Sequence, residues 1–547
     1  MSENSCCDLK TGRFWLVRRS LGEGGWLFFH ALSRHSRKAT PEQNYHFHLI
    51  NNLFSVKFCR TFEITSTVFL IKKITFKFET SHGMWYVTGD TNYNCKTMMI
   101  WRKDFLMRAS ILAMILAGGE GTRLAPLTDQ RAKPSVPFGG KYRIIDFVLS
   151  NFVNSGIDSI FVITQFKSQS LMEHIINGWN IASSQVRGRF IIPVPAQMQT
   201  EDRTWYCGTA DAIYQNVHLI EDFRPDLVCV FGGDHIYRMD VSQMVDFHLE
   251  KNAIASVAAI PVPISEAHQF GIIEVDKDWR ITGFQEKPSN PTPLPDDPTM
   301  CLASMGNYIF GADDIISLLK NDHLNADSSH DFGKNIIPSL VETGRLYAYN
   351  FYLNKIPGQA ENEKPYWKDV GTLRAYFEAN MDLRSTHPQL DLYNEKWPIY
   401  NYHFSLPPAK FVHNEEVDRR GLPRIGKAIN SLVCDGCIVS GSTVTNSVLF
   451  NQVFVHSYAT VHNCILLNDV DVGENCRIRN AIIDKHNMIP PGTTIGYNHD
   501  EDARRYYVLD MEPDQYGNPQ WLTVIPKDRH NLNLELPKSF ETHEHHV

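Results

Sequence analysis

Two aspartates in glycine-flanked segments are the first residues of this 547-residue chain whose surroundings suggest chemistry. Asp234 follows the apolar run 227–231 and two glycines, and Asp369 stands in the segment Trp367-Lys-Asp-Val-Gly-Thr372. Oxygen ligands suit hard divalent cations, so two such carboxylates could share one Mg²⁺ in a reaction of phosphates. Taken alone, Asp234 could equally be a helix N-cap.

A glycine-rich loop follows the apolar run 111–116. Its glycines are Gly118, Gly119 and Gly121. Without a Cβ, they let backbone N–H groups approach a phosphate chain, and Arg123 and Lys133 add positive charge suited to a polyphosphate. The loop is neither a P-loop nor a Rossmann fingerprint, and a loop of this kind on its own is more often a tight turn.

Two further segments carry groups that could bind a sugar phosphate. Gly271 precedes a short apolar strand, and Glu286-Lys287-Pro288 follows the next one. The lysine could clamp a monoester phosphate while the glutamate accepts from sugar hydroxyls, although such a neighbouring pair is usually a surface ion pair. The segment 206–212 opens a predicted helix whose N–H groups could face an anion.

These residues need a sheet to position them. Apolar runs at 111–116, 159–164, 227–231 and 254–260 alternate with helical patterns. This order predicts an α/β fold with a mostly parallel sheet covered on both faces. Ligands bind beyond the carboxyl ends of such strands, which is where the glycine-rich loop and Asp234 fall.

Beyond residue 425 the pattern changes to a 17-residue repeat. Each unit has three aliphatic columns. The columns are Leu432, Leu449, Leu466 and Ile483; Ile438, Val455, Val472 and Ile489; and Val444, Val461, Ile478 and Ile495. This spacing is typical of a hexapeptide β-helix, in which Asn446, Asn463 and Asn480 should form a ladder at one corner.

Composition limits the class of protein. The formal net charge of −8 argues against a nucleic-acid binder, and no apolar run reaches the length of about 18 residues that a membrane span needs. Eleven cysteines without a disulfide framework or a clear secretory signal indicate a reducing cytoplasm. Cys434 and Cys437 have a metal-like spacing, but without a second pair we favour structural thiols.

The first 110 residues differ from the rest, with 16 Lys+Arg and 8 Asp+Glu against 37 and 53 afterwards. We favour an upstream translation starting before Met107, with an accessory domain as the alternative. A targeting peptide fits less well. The expected domains are an unmatched extension (1–106), a nucleotidyltransferase domain (107–385), a linker (386–424), a left-handed β-helix (425–510), and a C-terminal strand and tail (511–547).

From Ile111 to Ile525 the chain resembles the glucose-1-phosphate adenylyltransferase family, bacterial homotetrameric type. The motifs that carry the resemblance are Ala117-Gly-Gly-Glu-Gly-Thr-Arg123-Leu, Arg131-Ala-Lys-Pro, Phe138-Gly-Gly-Lys-Tyr-Arg-Ile-Ile-Asp146, Trp205-Tyr-Cys-Gly-Thr-Ala-Asp-Ala212, Gly232-Gly-Asp-His-Ile-Tyr237, Glu286-Lys-Pro288, Leu302-Ala-Ser-Met-Gly306, Ser329-His-Asp-Phe-Gly333, Trp367-Lys-Asp-Val-Gly-Thr372 and Asp502-Ala-Arg-Arg505. The family makes ADP-glucose and pyrophosphate from ATP and glucose 1-phosphate, for glycogen synthesis. The resemblance implies a Rossmann-like, GT-A-like catalytic domain before the β-helix.

The resemblance also implies roles for single residues. Asp234 and Asp369 hold Mg²⁺, while Arg123 and Lys133 face the ATP phosphates. The backbone of Gly118, Gly119 and Gly121 cradles those phosphates, and Gln197 and Gly208 lie near the base. The implied glucose 1-phosphate site is Tyr206, Gly271, Glu286, Lys287 and Ser304.

Regulation follows from the resemblance in the same way. Sugar-phosphate activators and AMP or phosphate inhibitors bind between the two domains of family members. The matching positions are Arg143, Arg504 and Arg505 for the effector and Gln165 and Trp205 for the relay to the substrate site. Gln130 stands where enteric members have a lysine that contacts the activator, which leaves the activator open. Two other functions stay open: a sister enzyme using UTP, dTTP or GTP, and a non-catalytic regulatory homologue.

Overall fold

The structure is a computed structural model of the whole chain. It describes residues 109–527 except 180–188, 198–204, 295–296, 361–362, 403–404, 418–422 and 514, together with the backbone of nine strands before residue 101. The chain divides into two compact units, Met1–Leu106 and Met107–Val547.

The described part of the first unit consists of short antiparallel strands. They are β1 (Arg13–Leu16), β2 (Ser20–Leu21), β3 (Gly25–Trp26), β4 (Phe29–Leu32), β5 (Asn44–Leu49), β6 (Phe54–Cys59), β7 (Phe76–Ser81), β8 (Met84–Gly89) and β9 (Met98–Ile100). The pairs are β1 with β4, β2 with β3, β5 with β6, and β8 with both β7 and β9. The interpretation of residues 1–106 as the product of a translation start upstream of Met107 stays a prediction.

The second unit begins with an α/β domain. Its strands are β10 (Ile111–Leu116), β11 (Pro137–Phe138), β12 (Tyr142–Arg143), β13 (Ser159–Thr164), β14 (Phe190–Pro195), β15 (Leu227–Gly232), β16 (His235–Tyr237), β17 (Ala255–Pro263), β18 (Gly271–Val275), β19 (Ile281–Glu286), β20 (Met300–Gly311), β21 (Leu346–Asn350) and β22 (Trp367–Asp369). Its helices are α1 (Ile144–Asn154), α2 (Gln169–Gly178), α3 (Thr209–Tyr214), α4 (Val217–Phe223), α5 (Val241–Lys251), α6 (Ala312–His323), α7 (Ile337–Leu340) and α8 (Leu373–Asp382). No helix among the described residues is long and apolar enough to cross a bilayer.

The central sheet of this domain has nine strands, in the order β14-β13-β10-β15-β20-β17-β21, with β18 and β19 attached beside β20. β10 lies parallel to β13 and β15, and β14 extends this parallel half. The long strand β20 runs antiparallel between β15 and β17. The predicted α/β fold is confirmed, and the half of the sheet that carries the glycine-rich loop is parallel as expected.

Strand β10 shows why both faces of the sheet are covered. Ala113 and Ile115 pack into one hydrophobic cluster, whereas Leu112 and Met114 pack into another. All four side chains are fully buried. Since successive side chains of a strand point to opposite faces, an apolar run of this kind is stable only with a core on each side.

The C-terminal part is the predicted β-helix. Its strands are β23 (Lys410–Val417), β24 (Pro423–Ile425), β25 (Lys427–Ile429), β26 (Leu432–Val433), β27 (Ile438–Ser440), β28 (Thr443–Thr445), β29 (Val448–Leu449), β30 (Phe454–Val455), β31 (Thr460–Leu466), β32 (Asp471–Val472), β33 (Arg477–Ile483), β34 (Met488–Ile489), β35 (Thr494–Ile495), β36 (Tyr507–Met511) and β37 (Gln520–Ile525), with α9 (His499–Arg505). The aliphatic columns stack in register: Val444, Val461, Ile478 and Ile495 are aligned on successive parallel strands. The 17-residue repeat is therefore one coil of the helix.

The first coil starts earlier than the repeat predicts. β23 lies parallel to β27, although residues 386–424 were expected to be a linker. This strand does not carry the spacing of the later anchors, so the repeat could not reveal it. At the other end β37 adds to β33 in parallel and pairs antiparallel with β36.

The predicted asparagine ladder is present between Asn463 and Asn480, whereas Asn446 accepts a hydrogen bond from Arg384. Asn446, Asn463 and Asn480 have φ angles of +50°, +55° and +48°, the left-handed conformation that asparagine tolerates at corners. The Asn463 side chain donates to Asn480 at 2.7 Å, and Asn480 donates to Gln520 at 3.0 Å.

The α/β domain and the β-helix share one hydrophobic cluster. Phe138, Phe147 and Tyr376 of the first pack with Phe450 and Ile465 of the second. Each of these five side chains is fully buried.

Candidate active site

The two predicted metal carboxylates meet through a short backbone pairing. Asp234 follows β15 after two glycines and leads into β16. His235, the first residue of β16, lies opposite Asp369, the last residue of β22, in antiparallel register. The pairing brings two segments that are far apart in the chain into one site.

Lys133 joins these carboxylates. Its Nζ lies 2.9 Å from Asp234 Oδ2 and 2.9 Å from Asp369 Oδ1, and its side chain is 7% exposed. Burial alone would lower the pKa of Lys133, but the two carboxylates outweigh burial and raise it. Burial would raise the pKa of Asp234, yet Lys133 and His235 hold it below its ordinary value. Lys133, Asp234 and Asp369 are called the carboxylate cluster below.

The glycine-rich loop lies at the end of β10, next to this cluster. A Cβ on Gly118 would lie 3.1 Å from Gln165 Cβ, and Gly121 has a φ of +65°, so both positions favour glycine. Thr128 Oγ1 donates to the Gly121 carbonyl at 2.9 Å and fixes the loop. Gly119 has open space beside it. The loop can therefore present its backbone to a ligand.

Arg123 follows the loop in a single 3₁₀ turn, Thr122–Leu124. Its guanidinium Nη2 lies 3.6 Å from Asp369 Oδ2, while its side chain is 59% exposed. An exposed cation at the edge of the cluster can turn toward a bound anion at little cost.

The carboxylate cluster suits a hard divalent cation. Its oxygens already bracket one buried cation at 2.9 Å, and both carboxylates lie at the mouth of the glycine-rich loop. The described residues contain no group of three or more His, Cys, Asp or Glu that could hold a metal by themselves. Two protein carboxylates fit Mg²⁺, which usually keeps water and substrate phosphates among its ligands.

Glu286 and Lys287, two of the residues predicted to bind the sugar phosphate, lie next to Gly271. Gly271 lies opposite Glu286 in the β18–β19 pair, and a Cβ on Gly271 would approach Glu286 Oε2 to 2.9 Å. Lys287 has a φ of +47°, and its Nζ lies 3.3 Å from Glu286 Oε1. Ser304 Oγ accepts from the Gly306 N–H at 3.2 Å.

Gly208, Trp205 and Gln165, three of the four residues predicted for the base and for the regulatory relay, lie near the start of α3. The Tyr206 N–H donates to Gln165 Oε1 at 3.2 Å, which links Gln165 to both this segment and the Gly118 loop. A Cβ on Gly208 would overlap the carbonyl of His330, so only glycine fits there. Trp205 is 56% exposed, and Gln197 is exposed just after β14.

A second charged cluster lies between the catalytic domain and the β-helix. Arg143 is held by Ser135 and donates to the Ser170 carbonyl at 2.7 Å. Burial lowers the pKa of Arg143 to about 10. Arg131 forms a buried ion pair in which its Nη2 donates to both carboxylate oxygens of Asp484, at 2.8 and 2.7 Å.

Lys485 adjoins this pair. Burial, followed by the charges of Arg143 and Arg131, lowers the pKa of Lys485 to about 7. Arg131, Arg143 and Lys485 are called the cation cluster below. Gln130 lies beside it and donates to the Lys527 carbonyl at 3.3 Å.

Arg504 and Arg505 stand apart from Arg143 in their contacts. Arg505 pairs with Glu501 at 3.5 Å and lies over the Tyr506 ring at 5.3 Å. Arg143 contacts neither of these partners, so its grouping with Arg504 and Arg505 in one effector site stays a prediction.

Sequence reasoning missed Arg131, His235 and Lys485. The first two stand inside motifs that were recognised, but nothing in those motifs shows which side chain faces a site. Lys485 lies two residues after Ile483, which belongs to a fully buried aliphatic column of the repeat. A lysine so close to a buried column is the feature of the sequence that could have drawn attention to it.

Comparison with known proteins agrees with this geometry. A family model described as nucleotidyl transferase matches residues 112–386, and one described as GlmU-like, C-terminal hexapeptide, matches residues 407–512. Glucose-1-phosphate adenylyltransferase from Thermus thermophilus is 51% identical over 426 residues, which are 77% of this chain and 99% of the relative. The chain belongs to the glucose-1-phosphate adenylyltransferase family.

Other relatives give the same result. The proteins of that name from Anaeromyxobacter sp. and Deinococcus radiodurans are each 49% identical, over 420 and 425 residues. Both alignments cover 77% of this chain, with 98% and 99% of the relatives. The recognition of the family and the assignment as a nucleotidyltransferase are therefore confirmed.

Proposed function

We propose that the protein converts ATP and glucose 1-phosphate to ADP-glucose and diphosphate, the regulated step that supplies ADP-glucose for glycogen biosynthesis. The observation that carries this proposal is the carboxylate cluster at the mouth of the glycine-rich loop. It unites Lys133, Asp234 and Asp369, three groups that phosphate chemistry needs, at 2.9 Å separations.

The reaction requires no side-chain nucleophile. A phosphate oxygen of glucose 1-phosphate attacks the α-phosphorus of ATP, the bond from that phosphorus to the diphosphate oxygen breaks, and the electron pair leaves with diphosphate. Lys133 and Arg123 neutralise the charge of the polyphosphate, and the loop N–H groups hold it. Catalysis then consists of positioning and electrostatic stabilisation.

Asp234 and Asp369 would hold the Mg²⁺. When bound, Mg²⁺ neutralises charge on the phosphates and the departing diphosphate. Lys287 clamps the phosphate of glucose 1-phosphate, and Glu286 accepts from its hydroxyl groups. The close approach of Gly271 to Glu286 supports these two roles, because it leaves space for the Glu286 carboxylate beside the proposed sugar-phosphate site.

The cation cluster is the proposed effector site for sugar phosphates and for AMP or phosphate. It brings three basic side chains together, and Asp484 pairs with Arg131 through Nη2 only, which leaves the buried Nη1 of Arg131 without a hydrogen-bond partner. A phosphate would supply the missing negative charge. With Gln130 in place of a lysine, the identity of the activator stays open.

The protein is further proposed to be a cytoplasmic homotetramer with subunit contacts on the β-helix, because the coil ends of a β-helix need covering. Residues 1–106 are proposed to lie outside the working enzyme, since every group in the mechanism follows Ile111. No nucleic-acid or membrane partner is proposed.

The alternatives are separated by one assay. Release of diphosphate from glucose 1-phosphate is measured with ATP, UTP, dTTP and GTP, in Mg²⁺ and with a chelator. We expect release with ATP that the chelator abolishes. A preference for another nucleotide would indicate a sister enzyme, and no release with any of them would indicate a regulatory homologue.

A further inference from the structure

His235 is a polar side chain of the active site that the reaction described above does not use. Its Nε2 lies 3.6 Å from Asp234 Oδ1 and 4.0 Å from Asp369 Oδ1. Lys133 reaches Asp234 through the other oxygen, Oδ2. The imidazole and the ammonium group therefore approach Asp234 at different oxygens, and both contact the carboxylate pair.

The ring of His235 is held in place by packing. Trp367 meets it edge to face at a centroid distance of 5.3 Å, and Phe270 supports Trp367 at 5.6 Å. On the other side, a Cβ on Gly232 would lie 3.2 Å from Asp234 Oδ1 and 3.9 Å from His235 Nδ1. Gly232 thus leaves room for the carboxylate and the imidazole together.

The surroundings also select the tautomer. Nδ1 is buried and has no hydrogen-bond partner among the described atoms. Leaving an N–H unpaired there would be unfavourable, whereas Nε2 faces two carboxylates. We therefore assign the proton to Nε2, the ring nitrogen nearer the Asp234 and Asp369 carboxylates.

Two carboxylates this close repel each other and need a group that keeps them converged. Lys133 does so in this structure, but the proposed reaction needs Lys133 at the ATP phosphates. His235 remains beside the carboxylates because its ring packs against Trp367.

We propose that His235 is a positioning residue that keeps the Asp234 and Asp369 carboxylates converged for a divalent cation while Lys133 serves the polyphosphate. The inference rests on the proposed metal site. Groups that orient metal ligands commonly change metal affinity by about 10- to 100-fold when they are removed.

The test uses the full chain and two variants. His235→Phe keeps an aromatic ring against Trp367 but removes Nε2, and His235→Gln keeps an N–H donor on a side chain of similar reach. Mn²⁺ binding to the enzyme is measured by electron paramagnetic resonance without nucleotide and with ATP in the absence of glucose 1-phosphate. The Mg²⁺ concentration for half-maximal activity and the melting temperature are measured beside it. We expect His235→Phe to weaken Mn²⁺ binding roughly 10-fold at an unchanged melting temperature, and His235→Gln to restore most of the affinity.

The outcomes separate the two proposals. Wild-type Mn²⁺ affinity in His235→Phe would overturn the role of His235 and leave the metal site intact. Loss of thermal stability in both variants, without rescue of Mn²⁺ binding by glutamine, would make His235 a packing residue. If the wild-type enzyme itself bound no Mn²⁺ and needed no metal, the proposed metal site would be wrong, and the role of His235 with it. If His235→Phe does not fold, His235→Met replaces it. Methionine and glutamine have side chains of similar length, so comparing His235→Met with His235→Gln again tests the N–H donor.

Discussion

The carboxylate cluster and the cation cluster balance buried charge in opposite ways. In the first, one lysine lies between two carboxylates. In the second, Arg131, Arg143 and Lys485 lie close together, and Asp484 forms an ion pair with Arg131. An excess of acid favours a metal cation, whereas an excess of base favours an anion. We therefore expect a divalent cation at the two carboxylates of the first cluster and an anion at the second.

The largest expected effect comes from breaking the carboxylate cluster. Asp234→Asn and Asp369→Asn should each leave a folded protein whose kcat falls by about 10³ or more, because metal neutralisation is worth several kcal/mol. Steady-state diphosphate release measures the loss, with Asp278→Asn on an exposed turn as the matched control. Near-normal turnover in either variant would remove that carboxylate from the mechanism.

Breaking the buried pair of the cation cluster should act on stability instead. Asp484→Asn leaves the Arg131 guanidinium buried without its anion, which we expect to cost about 3–5 kcal/mol in the free energy of unfolding. Chemical denaturation measures this loss. The double variant Arg131→Met, Asp484→Leu should recover most of it, and an unstable double variant would contradict the ion-pair explanation.

Lys287 lies outside both clusters, and its side chain is 59% exposed. Lys287→Ala should raise the KM for glucose 1-phosphate by roughly 10-fold or more, the cost of a charge-assisted hydrogen bond, with a much smaller change for ATP. Lys277→Ala, an exposed lysine on a turn, is the control. Equal effects on both substrates would place Lys287 elsewhere.

The smallest expected effect is a pH dependence of anion binding at the cation cluster. The pKa of Lys485 is lowered to about 7, so near pH 7.5 much of its population is uncharged. A bound anion favours the charged form and raises that pKa, so binding should take up protons, and affinity should fall as pH rises from about 6.5 to 8.5. Calorimetry with sulfate, which does not titrate in this range, in two buffers of different ionisation enthalpy measures the uptake.

The lowered pKa of Lys485 also determines whether the free energy of unfolding rises or falls with pH. In the unfolded chain Lys485 binds its proton up to a higher pH than in the folded state. Its contribution to stability therefore rises with pH above 7 until the unfolded group also deprotonates. Lys485→Met should abolish both the proton uptake and this part of the pH dependence. Uptake that persists in Lys485→Met would assign the titration to another group.

The sequence predicts the sheet and the β-helix because their signals are local and periodic. Ile111–Leu116 is apolar on both faces, and the 17-residue columns stack residue on residue in the structure. The pairing of Asp234 with Asp369 follows from recognised motifs rather than periodicity. The cation cluster was only partly predicted, since Arg131 and Lys485 meet across two domains and no sequence pattern encodes the contact. The early coil at β23 was missed because it does not keep the repeat.

The shared core of the catalytic domain and the β-helix has a consequence for how such enzymes can be recombined. Phe450 and Ile465 fill space that Phe138, Phe147 and Tyr376 also line, and the Arg131–Asp484 pair crosses the same boundary. A β-helix transplanted from a relative would have to bring its own facing surface of α1 and α8 with it. Recombination between relatives should therefore keep the fold only when whole chains, or both facing surfaces, are exchanged together.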